Sequence, residues 1–368
     1  MTLTHYKFPS IESLRHLITS LKHRFQNPQQ TTDGWIFDES LELPVLHFNG
    51  TVKLHGVNAA IVFDPKLNKI YAQSRELVIT PQNDLHGFAR FVENNQEKLN
   101  EAMEKCSFAK EAWDKKEAVV IYGEWCGRGI NHGVAVCQLD KMFVVFDIKI
   151  GNRWLHRFEL KQFKLEDLRV FNITDFKSIG LDIDFDAIDK GKEAGRNGAL
   201  GKEGILANLD YMTDKVEKEC PVAKKVGDVS GIGEGIVWKC DNSYEGPYMV
   251  DYDILDSEGD PWMFKTKGEK HKNTKEPKGT QLTPEKFNSI NELVTGLVTP
   301  QRLEQGLTKL LEKNLDHSKR NTGEYVKWIV EDIQKENDDV VKASGLDFKD
   351  IQGAIQKTAR EFYLTKAT

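Results

Sequence analysis

Apolar residues recur along this chain with two periods, and the switch between them divides it into two regions. Ile11, Leu14, Leu17, Ile18 and Leu21 are spaced by three and four, which predicts a helix over about 10–24 with Ser10 as its N-cap. Residues 26–38 are polar and turn-like. From 43 to 63 the pattern alternates and is rich in Val, Leu and Ile, predicting two strands joined around residues 53–56. A strand is expected over 70–79 and a helix over 85–105. The short apolar runs at 118–122 and 142–146 read as strands that end at Gly123-Glu124 and at Asp147. Residues 191–204 read as a loop, 236–239 as a strand entered through a glycine group, and 248–255 and 262–267 as strands around a turn at 256–261.

Near residue 282 the period becomes helical. Thr283-Pro284 and Thr299-Pro300 each have the form of an N-cap followed by a first-turn proline. Three or four amphipathic helices follow, with apolar stripes Phe287/Ile290/Val294/Leu297, Leu303/Leu307/Leu310/Leu311, Tyr325/Trp328/Ile329/Ile333 and Phe348/Ile351/Ile355/Phe362. Such stripes are core positions rather than ligand sites. The expectation is therefore an α+β fold: residues 1–280 form a domain of antiparallel sheets with helices, and 281–368 form a small all-α domain.

Composition adds exclusions. No run approaches the roughly 20 apolar residues of a membrane span, and the first residues lack a secretory leader, so a cytoplasm is the expected location. Five cysteines with no C-x-x-C pair argue against a disulfide framework or zinc site. The net charge of −6 gives no whole-chain signal for nucleic acid. Between 265 and 278, however, six lysines face two acids, a local patch suited to phosphate.

Candidate chemistry centres on Lys53-Leu54-His55-Gly56-Val57-Asn58. Five further pieces follow it in order: Arg75, Gly123-Glu124, Phe146-Asp147, Glu234-Gly235-Ile236-Val237-Trp238-Lys239 and Lys265-Thr266-Lys267. The order fits nucleotidyl transfer with Lys53 as nucleophile. An amine that attacks a phosphate must be uncharged at that moment, and nearby cations favour the neutral form. Lys265 and Lys267, two apart on one strand face, suit phosphate charge. Glu234, with Asp147 as a second candidate, suits Mg²⁺ or Mn²⁺ or the water shell of either ion. Glu124 suits ribose hydroxyls, and Phe146 offers a flat face to a base.

These residues resemble the covalent nucleotidyltransferase superfamily, whose shared core runs from a K-x-[DH]-G nucleophile motif to a K-x-K motif. More narrowly they are similar to ATP-dependent RNA ligases of the RNA ligase 2 type found in T-even phages. His55 in place of aspartate, followed by Asn58, favours that branch, as does a helical tail where DNA ligases and capping enzymes append an OB-fold. The similarity covers roughly residues 40–270. It implies an ATP-grasp-like ligase core in which Lys53 carries AMP, and His55 and Asn58 contact phosphate or metal-bound water. It also implies that Arg75 supports the nucleotide and the sealing steps, Glu124 binds ribose, Phe146 stacks on adenine, and Glu234 organises a metal. Lys239, Lys265 and Lys267 would contact phosphates. Val52, at the adenine-pocket position before the nucleophile, stands where several relatives carry an acid. The implied enzyme repairs RNA, nicked duplex or broken structured RNA being the expected substrate, and works as a monomer, in a cell or a phage-infected host. The same core would also serve a DNA ligase, a guanylyl-transferring capping enzyme or a silent RNA-end-binding protein.

Overall fold

The computed structural model describes residues 3–32, 34–84, 86–240, 255–256, 258–271, 290–343 and 346–367, less the side chains of residues 197, 290–292, 339 and 343. The chain forms two compact units, Met1–Lys270 and His271–Thr368. The boundary expected at 280/281 and the Thr283-Pro284 helix start lie outside the described residues, as do most of the strand expected over 248–255 and the lysine run beyond 271.

The first unit begins with α1 (Leu14–Phe25) and a small hairpin of β1 (Gln29–Thr31) and β2 (Gly34–Ile36) within the segment read as turn. Then come β3 (Val45–Lys53), β4 (Val57–Asp64), β5 (Lys69–Ser74) and β6 (Val78–Ile79), and helices α2 (Phe88–Asn94), α3 (Gln96–Glu104) and α4 (Ala109–Lys115). The long strand β7 (Val119–Cys126) and β8 (Met142–Ile150) follow, with β9 (Arg153–Trp154), α5 (Arg157–Leu160), β10 (Val170–Asn172), β11 (Ile179–Asp184) and α6 (Phe185–Asp189). Helices α7 (Lys202–Lys218) and α8 (Pro221–Gly227) lead to β12 (Gly235–Cys240) and β13 (Met263–Lys267).

These strands make two main sheets. One has the order β10-β8-β7-β4-β5-β6 with β9 added beside β8, and the other the order β11-β3-β12-β13. Among the described residues the strand pairings are antiparallel, as expected, except β10 with β8, which is parallel and makes the first sheet mixed at that edge. The two strands expected around 53–56 belong to different sheets. Residues 54–56 are therefore the link by which the chain leaves one sheet and enters the other.

β3 shows why the second sheet has one working face. Its burial alternates from residue 48, with Phe48, Gly50 and Val52 buried and Asn49, Thr51 and Lys53 partly exposed, the period of a half-covered strand. The register carries this parity onto the neighbours, because Lys53 pairs with Gly235, Thr51 with Val237 and Asn49 with Lys239, while Lys265 pairs with Val237 and Lys267 with Gly235. Lys53, Val237, Lys239, Lys265 and Lys267 thus share a face. The opposite face carries Phe48, Trp238 and Phe264, the last two stacked at 5.9 Å; each ring contributes about 1.5–3 kcal/mol by its burial.

Several element boundaries move for identifiable reasons. α1 starts after Ser13, whose hydroxyl accepts from His16 N, rather than after Ser10. Glu12 is extended, bridging Phe264 and accepting from Lys265 N at 2.9 Å, so tertiary pairing overrides the helical spacing. The strand expected over 70–79 is broken at Arg75 by a turn in which Ser74 and Leu77 bond to each other. The helix expected over 85–105 is split at Asn95, whose side chain donates to Phe91 O, a local bond that competes with the helix; Leu85 lies outside the described residues. Glu124 and Asp147 sit inside β7 and β8 and do not terminate them, since both strands run on beyond the apolar stretch. The loop of 191–204 holds a short helical turn, Arg196–Gly198, fastened by the Arg196 guanidinium to Asp184 and Glu42.

In the second unit, α9 (Ile290–Leu297), α10 (Pro300–Glu312), α11 (Thr322–Ala343) and α12 (Phe348–Lys366) pack around Leu293, Leu307, Tyr325, Ile329, Ile333, Ile351, Ile355 and Tyr363. The predicted Thr299 cap is present, accepting from Arg302 N at 3.3 Å. Arg302 is wholly buried. Its guanidinium reaches Asp332 at 2.7 Å and Glu336 and Asn337 at 3.1 Å. Among the described residues no helix is long and apolar enough to cross a membrane.

Candidate active site

The link from β3 to β4 is held in a single shape. Gly56 lies against β7, where a Cβ would stand 2.3 Å from Trp125 O, so only glycine fits. Its N–H donates to Glu124 Oε1 at 2.9 Å, and its carbonyl accepts from Asn131 Nδ2 at 2.8 Å. The Cys137 thiol lies 3.9 Å from the carbonyl of His55. Lys53 therefore projects from a strand end followed closely by two residues, His55 and Gly56, that are held by β7 and by the segment after it.

Glu234 is the hub of the site. It precedes β12, and Gly235 passes so close to β13 that a Cβ would stand 2.1 Å from Thr266 O. The Glu234 carboxylate is 5% exposed and lies 2.7 Å from Lys53 Nζ, 3.2 Å from His55 Nδ1 and 3.6 Å from Lys267 Nζ. Burial alone raises its pKa, but the Lys53 charge, the His55 hydrogen bond and the Lys267 charge outweigh it and hold the carboxyl well below the usual range. A carboxylate only accepts, so His55 Nδ1 carries the hydrogen of that bond.

A second ion pair spans the two sheets: Lys239 Nζ of β12 meets Asp147 Oδ2 of β8 at 2.5 Å and lies 5.6 Å from the Trp154 ring. Asp147 is fully buried. Burial raises its pKa, and the Lys239 charge offsets this only in part. Beside it, the β7–β8 register shifts between Tyr122 and Gly123, because Tyr122 pairs with Asp147 and Gly123 with Val145. Phe146 is the extra residue of this bulge, a device that re-aims a side chain.

The candidate residues thus fall into groups. Lys53, His55 and Lys267 each reach Glu234, and Lys239 and Lys265 share the face of Lys53. Asn58 pairs with Glu124 across β4 and β7, and Arg75 leaves β5 one residue beyond the Ser74–Ala59 pair, at the level of Asn58. Arg75 faces Glu76 at 3.7 Å. Val52 is not brought in by its side chain, which is buried on the opposite face from Lys53. Asp147 is engaged by Lys239, and Glu234 by Lys53, His55 and Lys267. Among the described residues no group of three or more His, Cys, Asp or Glu gathers as a metal cage. Asn131 and Val237 were not anticipated. Asn131 lies in the glycine-rich stretch just after β7, and strand alternation from Lys239 would have placed Val237 on the working face.

Among solved structures, a Naegleria gruberi RNA ligase mutant with AMP and Mn is similar at 17% identity, covering 72% of this chain and 56% of that chain, with a TM-score of 0.39. An archaeal ATP-dependent RNA ligase is similar at 15% identity, covering 89% of this chain and 63% of that chain, with a TM-score of 0.36. The chain spans 56% of the Naegleria protein's length. No curated protein sequence matches. A model of the RNA ligase family matches residues 47–246, more than half of the chain. The chain belongs to the RNA ligase family.

Proposed function

We propose that this protein is an ATP-dependent RNA ligase that joins 5′-phosphate and 3′-hydroxyl RNA ends through a lysyl-AMP on Lys53. The observation that carries this reading is the buried Glu234 carboxylate holding Lys53, His55 and Lys267 together on a lysine-lined sheet face. In the first step Lys53 Nζ, having lost a proton, attacks the α-phosphorus of ATP, an N–P bond forms, and the P–O bond to pyrophosphate breaks. AMP then passes to the RNA 5′-phosphate, and the 3′-hydroxyl attacks that activated end and releases AMP. All three are in-line displacements at phosphorus, where positioned cations do most of the work.

On this reading the residues take distinct tasks. Glu234, held well below the usual carboxylate range, is too weak a base to take the Lys53 proton; it aims the amine instead. When Lys53 turns to phosphate, Lys267 remains beside Glu234 to balance its charge. Lys239 and Lys265 line the path of the phosphates, Glu124 reaches the ribose from β7, and Phe146 offers its ring to adenine. Arg75 supports the nucleotide from the β5–β6 turn. Glu234 would supply a carboxylate to Mg²⁺ or Mn²⁺, and the bound ion would neutralise phosphate charge. Asp147 is the second candidate, and like Glu234 it would exchange a lysine partner for the ion.

Residues 1–280 act as the adenylyltransferase domain, 281–368 as its helical companion, and the protein works as a monomer on nicked or broken structured RNA. Sealing of 5′-phosphorylated nicked duplex against single-stranded RNA tests the substrate: faster sealing of the nick is expected, and faster sealing of single strands overturns it.

A further inference from the structure

We propose that the N-terminal segment, residues 3–8, is a positioning strap for the nucleotide pocket, with Phe8 setting the ring of Phe146. Phe146 occupies a β-bulge, so no ladder partner fixes its backbone. Its ring is instead met edge-on by Phe8 at 5.0 Å, and Phe8 also packs on Tyr122 at 5.1 Å and Trp154 at 5.7 Å. Phe8 is 2% exposed, while Phe146 is only partly buried, so Phe8 backs the ring from within and leaves part of Phe146 accessible.

The strap is latched by polar contacts, which fix its register as apolar packing alone would not. The buried Gln73 side chain grips both sides of one residue, accepting from Tyr6 N at 3.0 Å and donating to Tyr6 O at 2.6 Å. Tyr122 also donates to Tyr6 O, at 3.2 Å, and Tyr71 donates to Thr4 O at 2.8 Å. His5 Nε2 lies 3.2 Å from Ser74 O, and Lys7 lies 3.9 Å from Glu76, the carboxylate that Arg75 also approaches. One segment therefore touches both the turn that carries Arg75 and the ring of Phe146, which stand on different strands. A shift of the strap moves both, and nucleotide affinity follows.

This inference rests on the adenine-binding reading of Phe146, and the test separates the two. ATP affinity is measured by calorimetry in the full chain carrying Lys53→Ala, so that no covalent step is needed, with Phe8→Leu, Phe8→Ala, Phe146→Ala and the Phe8/Phe146 double variant added in turn; melting temperatures are recorded for each. Phe8→Leu keeps apolar volume but loses the ring edge. It should weaken ATP binding about threefold to tenfold, the scale of one aromatic pair, with little change in melting temperature, and the double variant should bind no more weakly than Phe146→Ala. Should Phe8→Ala fail to fold, Phe8→Leu alone decides. Unchanged affinity in Phe8→Leu, or losses that add in the double variant, overturns the strap. Full ATP affinity in Phe146→Ala overturns the reading of Phe146 itself.

Discussion

Glu234 holds two opposed tendencies in one side chain. Burial disfavours its charge, and the Lys53 charge, the His55 hydrogen bond and the Lys267 charge restore it. Because the folded carboxyl sits below its ordinary value of 4.5, its pairing contributes stability that is fully present above that value and is lost as pH falls below it. Glutamine does not titrate, so the stability difference between the natural protein and Glu234→Gln, measured by urea unfolding, should shrink as pH drops below about 4.5. A difference that stays constant through that range contradicts the assignment. At neutral pH the same variant should slow lysine adenylation by about a hundredfold, as does loss of one positioned charge elsewhere. Gly56→Ala should destabilise the chain by about 1–3 kcal/mol, because the new methyl meets Trp125 O; chemical denaturation checks it. Most residues of the Glu234 cluster were legible in the sequence, since the motifs carry them. Their mutual grip was not: the expectation surrounded Lys53 with cations, whereas its nearest partner is a carboxylate 2.7 Å away. Nothing in the local pattern marks Asn131, whose task exists only once Gly56 meets β7.

At the scale of elements, period and propensity located the strands and tertiary pairing moved their ends. Glu124 and Asp147 fell inside strands because β7 is paired on both sides, so the ladder continues through them. Helices α4 to α8 were not anticipated. The division of β3 and β4 between two sheets is a property of long-range pairing that no window of alternating residues reports. In the second unit the stripe positions within the described residues are core or pack against it apart from the half-buried Leu311, while Phe287 and the Ile290 side chain lie outside the described residues; the stripes gave no sign of Arg302, whose charge is buried where two helices meet. Arg302→Ala leaves Asp332 and Glu336 without their shared cation and should lower stability by about 3 kcal/mol. Thermal unfolding of the full chain checks this, and an unchanged transition contradicts the network's structural role.

For the whole molecule, the net charge of −6 conceals a local arrangement. Lys53, Lys239, Lys265 and Lys267 share one face of one sheet, which concentrates positive charge where the net balance is negative. RNA binding should therefore weaken steeply with salt, as phosphate contacts release counterions. Titration of labelled RNA at increasing salt checks this, and salt-independent binding contradicts a phosphate-reading face. The α+β class and the helical C-terminal region were legible because periods of two and of three to four are local signals. The parallel pairing of β10 with β8 was not, since it depends on a short edge strand finding β8.

The account turns on Lys53, and the most direct measurement incubates the protein with ATP labelled at the α-phosphate and Mg²⁺, then separates it on a denaturing gel. The natural protein should carry a covalent label from ATP and not from GTP, and Lys53→Ala should carry none. Full labelling of Lys53→Ala, or label acquired from GTP alone, contradicts the central claim.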